Sequence, residues 1–226
     1  MEIGIIGSGM VGSTLAGNLT ALGHKVKIAN SRGPESLGEV ADKTGAKPVT
    51  VEEAAGAKDI VIVAVPPTAM EKLPVDILSA SQAIIIDTGN YYPSRDGENL
   101  NLKDGLTDSE WAAKVLGHPV IKAFNNILST SLDSKSKPEG NPERIAISVA
   151  GDQEQQKQTV QALINEMGFD AIDGGLLPDS WRQQPGTPAY CRDLDKENLA
   201  AALEEADESK RAQYLETADE AIRPFL

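Results

Sequence analysis

Three glycines near the N-terminus, Gly7, Gly9 and Gly12, have the spacing G-x-G-x-x-G. They follow the apolar run Ile3 to Ile6, which predicts a buried β-strand, and they open a stretch of helical periodicity from Met10. In such a unit the first glycine allows a tight turn, the second lets a pyrophosphate approach the backbone, and the third lets the helix pack on the strand. The helix N-terminus adds unpaired N–H groups and a positive dipole end. The motif predicts a dinucleotide site, the alternative being glycines that serve only turn and packing.

The residues after the second strand distinguish between two dinucleotides. A site selective for NAD carries a carboxylate roughly 20 residues beyond the glycines, where it binds the ribose hydroxyls. This chain has Asn30, Ser31 and Arg32 at that place. A hydroxyl and a guanidinium can hydrogen-bond to a 2′-phosphate, which a carboxylate would repel. The sequence therefore predicts NADP(H), although the nearby Glu35 leaves room for some use of NAD, and Arg32 could instead be a solvated loop residue.

The elements that must position these residues follow from the hydropathy pattern. Short apolar runs alternate with amphipathic stretches over the first 175 residues, which is typical of a parallel sheet with crossover helices. The sequence predicts an α/β fold, a Rossmann-type doubly wound and mostly parallel sheet of about eight strands. We expect residues 1–176 to form the NADP-binding domain, and residues 177–226 to form an extension, an ordered loop plus helix, packed on that domain or on a dimer partner. Thr50 and Glu53 have the spacing of a capping box, and Asp152 is expected to cap a later helix.

Composition excludes several classes of protein. The 226 residues carry a formal net charge of −13, which disfavours binding to nucleic acid or to an anionic membrane surface. The chain enters an apolar strand at once, without a basic leader or a run of 18 apolar residues, so we expect a cytoplasmic protein. A single cysteine, Cys191, and two histidines, His24 and His118, predict neither an internal disulfide nor a metal site.

Motifs along the whole chain carry a resemblance to a known family. They are G-S-G-M-V-G at residues 7–12, N-S-R-G-P-E-S-L at 30–37, A-V-P-P at 64–67, D-T-G-N-Y-Y-P at 87–93, K-A-F-N-N at 122–126 and S-W-R-Q-Q-P-G-T-P-A-Y at 180–190. With these the chain resembles a bacterial branch of the NADP oxidoreductases grouped with the deazaflavin-dependent (coenzyme F420) NADP reductases. Its fold is similar to the cytosolic reductase domain of the six-transmembrane metalloreductases.

The resemblance implies where a cofactor would lie. In relatives the nicotinamide lies along the carboxyl ends of the central strands, the edge at which open α/β sheets bind ligands. The implied cofactor-binding residues, with those of the two earlier motifs, are Gly7, Ser8, Gly9, Met10, Val11, Gly12, Asn30, Ser31, Arg32, Val65, Pro66, Pro67, Asn90, Ala123 and Asn125. Pro67 could equally be a strand stop, and the two asparagines could merely satisfy loop backbone.

Candidate substrate contacts come from two segments that depart from the best-known pattern of the family. Tyr91, Trp181, Arg182 and Gln183 supply aromatic, guanidinium and amide groups suited to a planar polar acceptor. Trp181 could instead fill a core or a dimer interface. The departures also put the deazaflavin acceptor in question, because the archaeal type has a shorter and more apolar run at the first of these segments.

Three functions follow from these residues. The first is an NADP(H)-dependent oxidoreductase that transfers hydride to or from a flavin-like or deazaflavin acceptor, a reaction in which stacking and distance matter more than a protein acid. The second is reduction of a small carbonyl or imine, which needs a proton donor, with Lys122 and Tyr190 as the candidates. Lys122 could instead simply hydrogen-bond across the sheet edge. The third is a non-catalytic protein that senses NADP(H). Because little chain remains for a separate substrate domain, we also expect a homodimer.

Overall fold

The computed structural model describes residues 1–99, 102 and 105–226. Its main sheet has six parallel strands in the order β3-β2-β1-β4-β5-β6, with bounds Glu2–Ile6, Lys25–Ala29, Lys47–Pro48, Ile60–Val63, Ile84–Asp87 and Val120–Lys122 for β1 to β6. This order reverses direction between β1 and β4, as in doubly wound dinucleotide-binding folds. The predicted Rossmann-type fold is confirmed.

Two further strands pair with each other outside the main sheet. These are β7 (Ala146–Val149) and β8 (Asp170–Asp173), which form a parallel pair of their own. An antiparallel bridge between Lys122 and Ala150 connects this pair to the end of β6. The described residues thus contain the expected eight strands, but in two sheets, because β6 and β7 share one bridge instead of a ladder.

Helices connect the strands on both faces of the main sheet. In chain order, and omitting the 3-10 turns, they are α1 Met10–Ala21, α2 Gly38–Thr44, α3 Val51–Ala55, α4 Pro67–Met70, α5 Val75–Ser79, α6 Pro93–Asp96, α7 Asp108–Leu116, α8 Ser129–Ser134, α9 Glu154–Glu166, α10 Lys196–Glu205 and α11 Arg211–Ile222. The capping box of Thr50 and Glu53 is confirmed at the start of α3. Asp152, in contrast, does not cap α9: the N-cap is Gln153, and the Asp152 carboxylate accepts the backbone N–H of Leu177.

The core lies on both faces of the main sheet. All four residues of β4, Ile60 to Val63, are fully buried, which explains why this strand is continuously apolar. On one face Leu15 and Leu19 of α1 join a cluster with Ile3 and Ile5. Burying one such side chain stabilises the fold by about 1.5–3 kcal/mol, so the sheet is a rigid support for the loops at its carboxyl edge.

The last fifty residues lie against the body in two parts. Leu199, Ala202 and Leu203 of α10 pack on Ala146 and Ile172 of the second sheet. The next helix, α11, has one buried residue, Asp219. None of the described helices is both long and apolar enough to cross a membrane.

Candidate functional site

In the glycine turn between β1 and α1, two of the three glycines lie too close to backbone carbonyl groups to carry a side chain. Gly7 has φ +114°, and a Cβ there would lie 2.1 Å from the Ala64 carbonyl oxygen. A Cβ on Gly12 would lie 1.9 Å from the Gly7 carbonyl oxygen. At Gly9 a Cβ would meet no protein atom within 4 Å. Packing inside the chain therefore explains the first and third glycines but leaves the second one unexplained.

The N-terminus of α1 opens at that same glycine. Gly9 is the N-cap residue, and no side chain caps the helix. The next residue, Met10, is 77% exposed. Four N–H groups at a helix start lack intrahelical partners, and the helix dipole makes this end positive. The turn thus offers a phosphate both space and donors, so the residues present fit a dinucleotide.

The loop after β2 has a fixed backbone and outward side chains. The Asn30 side chain accepts the backbone N–H of Arg32 at 2.9 Å and donates to the hydroxyl groups of Ser8 at 3.1 Å and Ser36 at 3.0 Å. These bonds join the loop to the glycine turn. Ser31 and Arg32 are exposed. Asn30 therefore has a positioning role, while the hydroxyl and the guanidinium remain accessible to a ligand.

At the carboxyl ends of β4, β5 and β6, two predicted asparagines lie together. Asn125 Nδ2 donates to Asn90 Oδ1 at 3.1 Å, and Asn90 Nδ2 donates to the Asn125 carbonyl oxygen at 3.2 Å. Phe124, which precedes Asn125, has φ +63°, an unusual conformation for a bulky residue. Val65 and Pro66 are accessible at the adjacent edge, whereas Pro67 is buried at the first turn of α4. Ala123 is fully buried.

Gln183 connects these asparagines to the second sheet. Its Nε2 donates to Asn125 Oδ1 at 2.8 Å, and its Oε1 accepts from the Ser148 hydroxyl at 2.7 Å. Its backbone carbonyl accepts from Asn125 Nδ2 at 2.7 Å. Gln183 has no exposed surface. The side chain predicted to contact a substrate is thus enclosed, and its bonds instead hold the Leu177–Gln183 turn against the edge of the sheet.

Lys122, a predicted proton donor, is fully buried beneath the same edge. Its Nζ lies 3.1 Å from Asp87 Oδ2 and also donates to the Gly89 carbonyl oxygen. Asp87 accepts from the Ser109 hydroxyl at 2.6 Å and from the Gly89 N–H at 2.9 Å. Burial alone would raise the pKa of Asp87, but the Lys122 charge and these hydrogen bonds lower it. The ammonium is therefore bound inside the protein, where it fixes the loop that leads to Asn90.

Tyr190, the other predicted donor, belongs to an aromatic pair beside Asn90. Its hydroxyl lies 2.7 Å from the hydroxyl of Tyr92. The Arg95 guanidinium lies 5.1 Å from the centroid of the Tyr92 ring and donates to the Asn90 carbonyl oxygen. Burial, followed by the neighbouring Cys191 and Tyr92, raises the pKa of Tyr190. Both phenols therefore stay protonated at neutral pH, and Tyr190 keeps a proton that it could donate.

The remaining substrate candidates are Trp181, Arg182 and Tyr91. Trp181 is 8% exposed, with the guanidinium carbons of Arg182 and Arg211 at 5.9 and 5.8 Å from its ring centroid. Arg182 Nη2 lies 3.5 Å from Asp179. Tyr91 is buried, and its hydroxyl donates to the Gly97 carbonyl oxygen at 2.8 Å. Trp181 and Tyr91 both line one cavity, with a volume of about 970 Å³.

Sequence reasoning did not find the partners of Lys122. Asp87 ends an otherwise apolar strand, and a charge at such a position was the available signal. Ser109 and Asp108, at the start of α7, carry no comparable signal, because their role depends on where that helix packs. The sequence identifies Arg95 as a guanidinium donor in the segment with Tyr91 and Tyr92 that departs from the family pattern, but its contacts with Asn90 and Tyr92 could not be predicted.

Comparisons with known proteins agree with this geometry. Residues 2–91 match the family described as NADP oxidoreductase coenzyme F420-dependent. The solved structure of protein SMa0349 from Sinorhizobium meliloti is 32% identical with a TM-score of 0.71, over 87% of this chain and 96% of that one. The chain belongs to the coenzyme F420-dependent NADP oxidoreductase family. It is therefore placed among NADP-dependent oxidoreductases, as the sequence motifs implied.

Two curated relatives match smaller parts of their own length. Protein YjhV from Escherichia coli K12 is 40% identical over 72 residues, which are 32% of this chain and 53% of YjhV. Metalloreductase STEAP3 from Rattus norvegicus is 28% identical over 177 residues, 78% of this chain and 34% of that protein. The chain thus spans about half and one third of these relatives. The predicted similarity to the metalloreductase family is confirmed, and it concerns the portion that this chain covers.

Proposed function

We propose that this protein is an NADP(H)-dependent oxidoreductase that transfers hydride between the nicotinamide and a flavin-like or deazaflavin acceptor. The main support for a dinucleotide site is the space around Gly9. A Cβ there would meet no protein atom within 4 Å, and no side chain caps the helix that begins at this residue. Membership of an NADP oxidoreductase family supports the choice of cofactor. The deazaflavin acceptor rests on the family description alone.

In this proposal each part of the edge has a binding or positioning role. The N–H groups at the start of α1 hold the pyrophosphate, and Ser31 with Arg32 holds the 2′-phosphate. Asn90 and Asn125 orient the carboxamide end, and Lys122 positions Asn90 through the Gly89 carbonyl oxygen. When bound, NADPH supplies the hydride, and a planar acceptor needs stacking and distance control more than a protein acid.

A second candidate function is reduction of a small carbonyl or imine. The hydroxyl pair of Tyr92 and Tyr190 beside Asn90 favours it, because a phenol at this edge is a candidate proton donor to the reacting group, although burial raises the pKa of Tyr190 and so weakens it as an acid. Cys191 is not a competing group, because burial raises the pKa of its thiol to about 11. Binding of NADP(H) without turnover, as in a sensor, is the third outcome.

The experiment pairs two glycine variants. Gly9→Ala adds a methyl group where no protein atom lies within 4 Å, so the fold should persist, but that methyl group occupies the approach to the helix N-terminus. Loss of charge-assisted hydrogen bonds predicts roughly 10- to 100-fold weaker NADPH binding, measured by fluorescence titration. Gly38→Ala, which is equally unobstructed and begins α2, is the control and should bind normally.

Turnover separates the three functions. NADPH absorbance is followed after addition of a flavin, of coenzyme F420, or of a panel of carbonyls and imines. Oxidation with a flavin or deazaflavin that is insensitive to Tyr190→Phe supports the first function, whereas oxidation with a carbonyl or imine that needs Tyr190 supports the second. Tight binding with no oxidation supports a sensor, and normal binding by Gly9→Ala contradicts the proposed cofactor site.

A further inference from the structure

The cavity lined by Tyr91 and Trp181 lies next to the segment that carries Asn90. It is named the second cavity because the proposed cofactor edge is the first candidate site. Its volume of about 970 Å³ is that of a small-molecule site. Its walls come from the Tyr91 segment, the start of α7, the turn at Trp181 and the inner face of α11, and none of the predicted cofactor-binding residues lines it. The cavity is therefore separate from the proposed hydride-transfer edge.

The floor of this cavity holds a carboxylate with unmet hydrogen-bonding capacity. Asp108 is 8% exposed, and its Oδ2 accepts the backbone N–H of Tyr91 at 3.0 Å. No described residue donates a hydrogen bond to its other oxygen, Oδ1. This oxygen is not among the fully buried polar atoms of the described residues. Buried carboxylates are normally paired. Asp108 is one of the residues that line the cavity.

The buried charges beneath the cavity do not balance. Asp87 and Asp108 are two carboxylates, and Lys122 is the ammonium near both, already bound to Asp87 and to the Gly89 carbonyl oxygen. Burial raises the pKa of Asp108 to about 6. Because this value is still below 7, the carboxyl group is largely ionised at neutral pH. With both acids ionised, the cluster has a net charge of −1.

The two arginines on the walls are paired with other residues that line the cavity. Arg223 Nη2 lies 3.2 Å from Asp219, and Arg211 lies 4.0 Å from Glu208 and donates to the Gly105 carbonyl oxygen. Glu216 adds another negative charge to the rim. The lining also includes polar residues, but its large side chains are aromatic or aliphatic, namely Tyr91, Trp181, Leu106, Tyr214 and Leu215. An acidic floor below apolar walls suits a cation that carries an apolar group.

We propose that this cavity is a binding site for an organic ammonium compound, with Asp108 as the anchor of the cation and the aromatic walls as the seat of its apolar part. The site goes beyond the proposed oxidoreductase function and does not depend on it. A cation there would give the second Asp108 oxygen its missing donor and neutralise the buried cluster.

The test uses a charged ligand and its neutral analogue. The full-length protein is titrated by NMR with phenethylammonium and with 2-phenylethanol, each up to about 10 mM, a range that detects millimolar affinity. An ionic hydrogen bond predicts that the ammonium compound binds roughly 10- to 100-fold more tightly than the alcohol. Absence of binding, or equal binding of both ligands, overturns the proposal.

Two variants locate the site. Asp108→Asn keeps an oxygen for the Tyr91 N–H but removes the charge, and should abolish the preference for the ammonium compound. Asp76→Asn, at an exposed first-turn aspartate of α5, is the matched control and should retain it. Ala212→Phe fills the cavity from α11 without touching Asp108 and should weaken both ligands, which keeps the test decisive if Asp108→Asn does not fold. Unchanged ammonium binding in either cavity variant overturns the proposal.

Discussion

At the scale of single residues, the carboxyl edge is organised from below by a charged cluster. Lys122 binds Asp87 and the Gly89 carbonyl oxygen, and Asp87 in turn binds the Gly89 N–H. The same backbone unit is therefore held through both its donor and its acceptor. Two residues further on, Tyr91 N–H bonds to Asp108, so Asn90 has a fixed backbone on both sides.

In the proposed cofactor site, the preference for NADP depends mainly on the exposed guanidinium of Arg32. Arg32→Ala removes it while leaving the Asn30 loop bonds in place, since Arg32 contributes its backbone N–H to that loop. Hydrogen bonds to charged groups contribute about 1.5–3 kcal/mol, so NADP should bind roughly 10- to 100-fold more weakly and NAD with little change. Calorimetric titration with both nucleotides measures this. Lys43→Ala, exposed at the end of α2, is the control, and an unaltered NADP/NAD ratio in Arg32→Ala would refute the assignment.

The buried Asp108 should make stability depend on pH. Its folded-state pKa of about 6 lies above the ordinary 3.8, because burial disfavours the charged form. The folded state then binds the proton more tightly than the unfolded state. The loss of stability caused by the buried Asp108 charge is therefore absent below about pH 4 and grows as the pH rises to about 6. The free energy of unfolding of the wild type, relative to Asp108→Asn, should fall by about 3 kcal/mol over that range and then level off. Urea unfolding from pH 4 to 7 checks this, and a constant difference argues against it.

Single residues differed in how far the sequence could predict them. The roles of Gly7 and Gly12 follow from a strand–turn–helix pattern that the sequence itself shows, although the carbonyl group that a Cβ on Gly7 would meet belongs to Ala64, directly after β4. Gln183 depends on Ser148 and Asn125, far away in sequence and brought together by the packing of the second sheet. Its type suggested a ligand contact, but its environment makes it a structural bridge.

At the scale of elements, hydropathy patterns predicted the strands but not their association. Buried strands such as β4 are uniformly apolar, so each can be predicted from its own short stretch of sequence. Whether β7 joins β6 depends on register and twist, which hydropathy does not encode, and the two elements share the Lys122–Ala150 bridge alone. The predicted cap at Asp152 was wrong for a similar reason, because it depends on a contact distant in sequence. The Asp152 carboxylate accepts a hydrogen bond from the backbone N–H of Leu177 instead.

The ends of elements, more than their interiors, compose the site. The proposed pyrophosphate donors are at the start of α1, and the asparagines follow β5 and β6. Asp108 and Ser109 occupy the first turn of α7, where the helix dipole favours the negative charge of Asp108 and that of Asp87, the partner of Ser109. Parallel strands bring the carboxyl ends of β5 and β6 to one edge, which is why a correct fold prediction already indicated where a candidate site would lie.

At the scale of the whole molecule, charge is unevenly distributed. Residues 193–226 hold 10 acidic and 4 basic side chains, a net −6, so almost half of the total of −13 lies in the last 34 residues. That segment forms one wall of the second cavity. The acidic extension therefore favours a cation there, while Arg32 must act locally on the anionic dinucleotide within an unfavourable overall field.

The C-terminal helix has exposed features that could form an interface between two copies of this chain. Of the twelve residues of α11, Asp219 alone is buried, and it is tied to the body through Ser94 N–H at 2.8 Å. Beyond the helix, Phe225 is 84% exposed and Leu226 59% exposed. A helix with so little buried surface gains little from packing on its own chain. Adjacent exposed apolar residues at its end are suited to a partner surface.

We therefore predict a homodimer in which this end of the chain contributes to the interface. Size-exclusion chromatography with light scattering should give twice the chain mass of 24.0 kDa. Phe225→Ser should shift the equilibrium toward the single chain, because it removes an apolar contact worth about 1.5–3 kcal/mol when buried. Leu22→Ser, at an exposed position after α1, should leave the mass unchanged. A wild-type mass of one chain at all concentrations would rule the dimer out, and the acceptor would then have to bind in an edge formed by one subunit.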